Sequence, residues 1–150
     1  MYKVRFYDQV EDELLKFAVV ISKYNGKWVF CRNKERKTYE CPCGCREAGE
    51  DIGQTAEREL YGETGAREYE LNRICVYSVQ EYDEGGTSYE ESFGMLHYAE
   101  IDALGELPPD SEMECIELFT DLPSNWTYPE IQPLLIEKVA FIIGDDRGSV

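Results

Sequence analysis

The chain has 150 residues, 43% of them hydrophobic, and a formal net charge of −16 from 31 acidic against 15 basic side chains. It is long enough for one domain, residues 1–150, with a core of its own, and too apolar to be disordered. So acidic a surface repels nucleic-acid backbones and anionic membranes, which excludes both as broad partners, and an anionic nucleotide needs a cation or a local basic patch to approach it.

In chain order, Tyr2 to Tyr7 alternates as a short strand, and Leu14 to Ser22 is a nearly continuous apolar run. Such a run predicts a central strand buried on both faces. Tyr24-Asn25-Gly26-Lys27 is a tight-turn signal, and Trp28 to Cys31 returns as the partner strand of a hairpin. Arg32 to Lys37 then packs four of the 15 basic residues into six positions. Two readings stand: a solvated loop, or a patch in which Arg32, Lys34 and Arg36 meet a substrate phosphate.

From Gly44 to Ala66 a Gly-rich loop leads into a helix. Ile52, Ala56 and Leu60 repeat every four residues as an apolar stripe for the core, and Gly65 is the expected C-terminal cap. Glu59 and Glu63 share a second face. Like charges one turn apart destabilise a bare helix, and a hard divalent cation, Mg²⁺ or Mn²⁺, offsets them because carboxylate oxygens are its preferred ligands.

Beyond the helix, residues 67 to 80 read as one or two strands, 81 to 91 as a flexible acidic hairpin loop, and Phe93 to Ile101 as the returning strand. His97, the one histidine, falls on the Met95 and Ala99 face of that strand and reads as a packed residue rather than a catalyst. Cys115 to Phe119 is a short strand after a Pro-Pro break, and Ser124 to Pro133 is a turn into a last helix striped by Ile131, Leu134, Leu135, Val139 and Ile142. Asp145 to Val150 reads as a frayed tail. No apolar run approaches the ~20 residues of a membrane span. Six cysteines without a signal peptide point to a reducing cytosol and free thiols.

The Gly44–Ala66 segment resembles the signature of Nudix (MutT-like) hydrolases, G-x5-E-x7-R-E-U-x-E-E-x-G-U with U bulky and apolar. Gly44, Glu50, Arg58, Glu59, Leu60, Glu63 and Gly65 match in one ungapped window. Ala66 is a small version of the last apolar residue. Gly62 stands where the family has the first glutamate of its pair, normally a metal ligand. Cys43 and Gly44 stand where it usually has two glycines.

The resemblance implies an α/β/α sandwich with a central mixed β-sheet, in keeping with strands on both sides of one helix and a second helix at the end. It also implies hydrolysis of a nucleoside diphosphate linked to another group (NDP-X). In that scheme Glu59, Glu63 and the Cys43 carbonyl hold Mg²⁺ or Mn²⁺, and Arg58 and Glu50 hold the ligand carboxylates. Glu112 and Glu114 fall where many family members place a further ligand or base on a loop; a solvated loop is the plainer reading. The partner is then a nucleotide or another diphosphate-containing small molecule, bound by a monomer or a homodimer.

Two other classes compete. Gly62 removes a carboxylate, which favours a binding module of the same fold with little or no turnover. Cys41, Cys43 and Cys45 supply three soft ligands, but without the Cys-x-x-Cys pairs of ordinary zinc sites, so free thiols are the simpler expectation.

Overall fold

A computed structural model of the protein describes residues 1–145. Eight strands form one mixed sheet: β1 (Tyr2–Tyr7), β2 (Leu15–Tyr24), β3 (Lys27–Asn33), β4 (Tyr39–Glu40), β5 (Cys43–Cys45), β6 (Ala66–Glu81), β7 (Ser92–Leu104) and β8 (Met113–Phe119). Helix α1 (Ile52–Thr64) lies between β5 and β6, and α2 (Gln132–Ile143) follows β8. The strand order is β1-β6-β7-β2-β3-β4, with β5 added on β2 and β8 on β3. Only β2 and β7 run parallel among the paired strands.

Strand β2 carries the core because Phe17 to Ile21 are apolar without a break and side chains alternate. Ala18 and Val20 join Ile52, Ala56 and Leu60 of α1 in one buried cluster. Val19 and Ile21 join Trp28, Phe30 and Leu135, Ile136, Val139 and Ala140 of α2 in the other. The sheet is therefore filled from both faces, one helix on each, which is the mixed-sheet sandwich that the sequence pattern suggests. None of the described helices is long and apolar enough to cross a membrane.

The hairpin β2–β3 pairs Ser22 with Val29 and Tyr24 with Lys27. Asn25 at φ 51° and Gly26 at φ 77° supply the two left-handed residues that a two-residue turn requires. Helix α1 begins with a capping box: Asp51 Oδ1 accepts from the Gln54 N–H at 2.8 Å, and Gln54 Oε1 accepts from the Asp51 N–H at 2.9 Å. It ends at Gly65, whose N–H donates to the Tyr61 carbonyl.

Several elements differ from the sequence expectation. Segment 67 to 80, expected as one or two strands, is one, and its register against β7 shifts at bulges. Leu14 lies in a short 3₁₀ turn, Asp12–Leu14, and is 42% exposed. The buried stripe of α2 is Leu135, Ile136, Val139 and Ala140; Leu134 is turned away from that line, and Ile142, at the helix end, is exposed. Asp145 is paired with Lys23; the remainder of the expected tail, 146–150, lies outside the described residues.

Loss of the Asp51 cap leaves the first turn of α1 short of an acceptor. Asp51→Ala should lower stability by about 1 kcal/mol in urea unfolding at an unchanged slope, and a midpoint equal to the parent's would show the cap to be idle.

Candidate active site

Arg58, on the first half of α1, organises the loop ahead of the helix. Its Nε and Nη2 donate to the two oxygens of Glu50 at 2.7 and 3.0 Å, Nη2 also reaches the Cys45 carbonyl at 2.9 Å, and Nη1 donates to Glu59 Oε1 at 2.6 Å. Glu50 further accepts from the Glu47 N–H and the Thr55 hydroxyl, both at 2.9 Å. Arg58 first, and the backbone at Glu47 second, lower the Glu50 carboxyl to about 2. Arg46 ties the same loop to the chain before β2, donating to the Glu50 carbonyl at 2.8 Å and to Asp12.

Glu59 lies flat against Gly44. A Cβ at residue 44 would stand 2.2 Å from Glu59 Oε1 and 2.3 Å from its Cδ, so any side chain there displaces the Glu59 carboxylate. Glu63, one turn on, has its Oε1 buried with no hydrogen-bond partner. Burial first, then the neighbouring Glu59 carboxyl, push Glu63 up to about 10. Behind it, Cys31 Sγ donates to the Glu63 carbonyl at 3.2 Å.

A further acid faces this cluster. Glu40 in β4 is 5% exposed, and its Oε2 has no partner. Burial raises its carboxyl, opposed by Thr127 and Arg36. The only trace of it in the sequence is its place three residues ahead of the Cys43-Gly44 pair, in a stretch that reads as loop.

Two cavities flank the cluster. An apolar one of about 550 Å³ is lined by Phe17, Val19, Tyr77 and Val79 from the sheet, by Ile131 and Leu135 beside α2, and by Cys43, Gly44 and Cys45. Gln132, buried at the start of α2, accepts from the Cys41 N–H at 2.8 Å and so pins that wall to the helix. A polar cavity of about 390 Å³ is lined by Lys34, Arg36, Glu40, Glu112 and Tyr128. Tyr128 lines both. Nothing in the sequence singles out Gln132 or the cavity aromatics, because they come from separate strands and the α2 turn.

The residues that the sequence singled out separate into two groups. Glu50, Arg58, Glu59, Glu63 and Cys43 are brought together. Lys34, whose Nζ donates to the Ser111 carbonyl at 2.7 Å, and Arg36, 6.0 Å above the Tyr128 ring, border the polar cavity. Arg32 is instead turned to β8, with Glu114 at 3.1 Å and Glu117 at 3.9 Å, and Glu114 is also engaged by Lys37. His97 is buried behind α1, where burial pushes it down to about 4 and Nδ1 lies 3.3 Å from the Val19 carbonyl.

The donors present fit a hard cation. Two carboxylates have buried oxygens lacking partners, Glu40 and Glu63, and Glu59, Glu40 and the Cys43 backbone all act on Glu63. Among the described residues no three acidic, thiol or imidazole groups stand at ligating distance from one point. A soft site fits less well: burial pushes the Cys31, Cys41 and Cys43 thiols up, against the thiolate that zinc requires, and Cys45 points to solvent.

Comparison with known proteins gives one family. The NUDIX domain matches residues 14–134. A curated relative, the candidate 8-oxo-dGTP diphosphatase YtkD of Bacillus subtilis (strain 168), is 29% identical over 123 residues, covering 82% of this chain and 73% of that protein. The crystal structure of the B. subtilis pyrophosphohydrolase BsRppH superposes with a TM-score of 0.74 at 25% identity, covering 94% of this chain and 90% of that one. A C. elegans Ap4A hydrolase shares the fold, with a TM-score of 0.59 at 17% identity over 86% of this chain and 99% of that one.

The elevation of Glu63 has a signed consequence. In the unfolded chain its carboxyl ionises near the ordinary 4.5, whereas the folded chain holds the proton up to about 10. Its contribution to stability is therefore fully present below about 4.5 and is lost as pH rises towards 10. In EDTA, unfolding free energy should decline across that window, and Glu63→Gln should flatten the decline. A wild-type curve with no more slope than the mutant's would contradict the burial of this acid.

Proposed function

From the premise that the chain belongs to the NUDIX family, hydrolases of phosphoric anhydride bonds, we propose that it catalyses metal-dependent hydrolysis of a nucleoside diphosphate linked to another group. The observation that carries this reading is the pair Glu59 and Glu63 on one helix face, with Glu59 set by Arg58 against Gly44, a residue that lines an aromatic-lined cavity. The names of the two B. subtilis relatives, a diphosphatase of 8-oxo-dGTP and a pyrophosphohydrolase, belong to the same class, since a nucleoside triphosphate is the NDP-X in which X is phosphate.

The base occupies the apolar cavity, where Phe17, Tyr77 and Tyr128 offer ring faces, and the pyrophosphate lies towards Glu59 and Glu63. Lys34 and Arg36 offset its charge from the polar side. Glu59, Glu63 and the Cys43 carbonyl would hold Mg²⁺ or Mn²⁺, which would supply charge neutralisation at the phosphoryl oxygens and a more acidic water. Arg58 and Glu50 fix the carboxylates, and Glu63 must give up its proton to join the ligand set.

Gly62 weakens this machinery. A Cβ at residue 62 would have nothing within 4 Å, so a side chain has room, and two helix carboxylates with one carbonyl suit one ion better than several. The same gap supports the second reading, a nucleotide-binding module with little turnover.

Phosphate and pyrophosphate release from a nucleotide panel, with and without Mg²⁺, separates the two. The expected outcome is metal-dependent release that falls by roughly 10²–10³-fold in Glu59→Gln and rises in Gly62→Glu, in kcat more than in KM. Nucleotide binding without release by wild type or Gly62→Glu would establish the binding module instead.

A further inference from the structure

The pairing of β3 with β4 sets Cys31 directly opposite Glu40. Opposed residues of an antiparallel pair project to the same face of the sheet with Cβ atoms roughly 5 Å apart. Cys31 points to α1, because its sulfur donates to the Glu63 carbonyl at 3.2 Å. Glu40 is thus delivered to the α1 face beside Glu63, while its neighbours Tyr39 and Cys41 pack on the α2 face. It is 5% exposed, yet its Oε2 has no hydrogen-bond partner, and neither does Glu63 Oε1. An acid buried this deeply and left half-satisfied is costly unless something else meets the oxygen. Thr127 and Arg36 offset the burial of Glu40 without reversing it, and Lys34 is spent on the Ser111 carbonyl.

We propose that Glu40 is a third carboxylate of the cation site, reaching it from β4 and complementing the α1 pair Glu59 and Glu63 where residue 62 offers none. Glu40 also lines the polar cavity that holds Lys34 and Arg36. It therefore stands between the helix carboxylates and the basic loop, where a cation bridging to a phosphate needs an oxygen ligand. The assignment rests on the reading of Glu59 and Glu63 as a Mg²⁺ or Mn²⁺ site, and the experiment keeps the two apart.

Calorimetric titration with MnCl₂, no nucleotide present, is run on the full chain and on Glu40→Gln, Glu59→Gln, Glu114→Gln and Glu40→Gln/Gly62→Glu. Glu40→Gln should bind Mn²⁺ at least ~10-fold more weakly than wild type. Glu114→Gln, which removes an acid committed to Arg32 and Lys37, should match wild type and so exclude a general loss of charge. The double variant should regain affinity, because residue 62 has space for the added side chain. Unfolding midpoints in EDTA establish that Glu40→Gln folds; if it does not, Glu40→Asp, which keeps the charge but shortens the reach, should show the loss. Wild-type affinity in a folded Glu40 variant alongside loss in Glu59→Gln overturns the role of Glu40 alone. No Mn²⁺ binding by wild type overturns both readings.

Discussion

One guanidinium decides the geometry of the site. Arg58 spends its donors on both oxygens of Glu50, on the Cys45 carbonyl and on Glu59. In doing so it closes the loop between β5 and α1 and aims a carboxylate at the backbone of Gly44. The planar fork is what makes this possible; a lysine ammonium at residue 58 would neutralise one partner without fixing the angle between loop and helix. Glu50 accepts from Arg58, Thr55 and the Glu47 N–H, and these bonds hold it in place within the loop. Glu59 engages Arg58 through Oε1 alone.

Against that order stands an excess of negative charge. Two carboxylates ~4 Å apart repel by about 4 kcal/mol at an effective dielectric constant near 20. That exceeds the ~1 kcal/mol that a helix cap or an optimal helix former contributes, so local helix energetics cannot hold such a cluster ionised. Protonation or a cation must intervene, and the elevation of Glu63 shows protonation taking that part. The basic residues are mostly committed elsewhere: Arg46 to Asp12, Arg32 and Lys37 to Glu114, Lys23 to Asp145. Lys34 and Arg36 stand at the polar cavity, and their contacts are to a carbonyl and a ring rather than to a carboxylate. The local basic patch that an acidic chain needs for an anionic ligand therefore reduces to these two.

Local periodicity made α1 legible from the sequence, because its apolar stripe, its acidic face and its Gly65 cap all lie within one contiguous segment. The β2–β3 hairpin was legible for the same reason: a continuous apolar run and an Asn-Gly turn. Glu40 was not, since β4 is two residues long and gains its meaning only from pairing with Cys31, nine positions earlier in the chain. Gln132 and the cavity aromatics come from strands β2 and β6 and the turn before α2, and no sequence period links them. Among the basic residues 32 to 37, composition marked a patch but not a direction: Arg32 lies within β3 and its side chain is captured by β8, whereas Lys34 and Arg36 fall in the turn and reach the cavity. The α2 stripe was displaced because Leu134 and Ile142 satisfy the helical period as well as Ile136 and Ala140 do, and tertiary docking alone chose between the two faces.

Strand β5 joins the two halves of the site. Its three residues pair with β2, Cys43 opposite Val19, Gly44 opposite Ala18 and Cys45 opposite Phe17. Side chains alternate, so Cys43, Cys45, Phe17 and Val19 face the apolar cavity together, while Gly44 and Ala18 face α1. The small pair on the α1 side is what lets Glu59 lie against backbone; the larger side chains on the other side form a wall for a ring-shaped ligand. A cysteine at residue 43 in place of glycine then adds to that wall without touching the carboxylates, and leaves the backbone at residue 43 in the place that a cation bound by Glu59 and Glu63 would meet. The substitution that would displace the Glu59 carboxylate is one residue on, at Gly44, where a Cβ would fall 2.2 Å from it. Alternation along three residues thus sets the apolar cavity and the carboxylate cluster on opposite faces of one short strand.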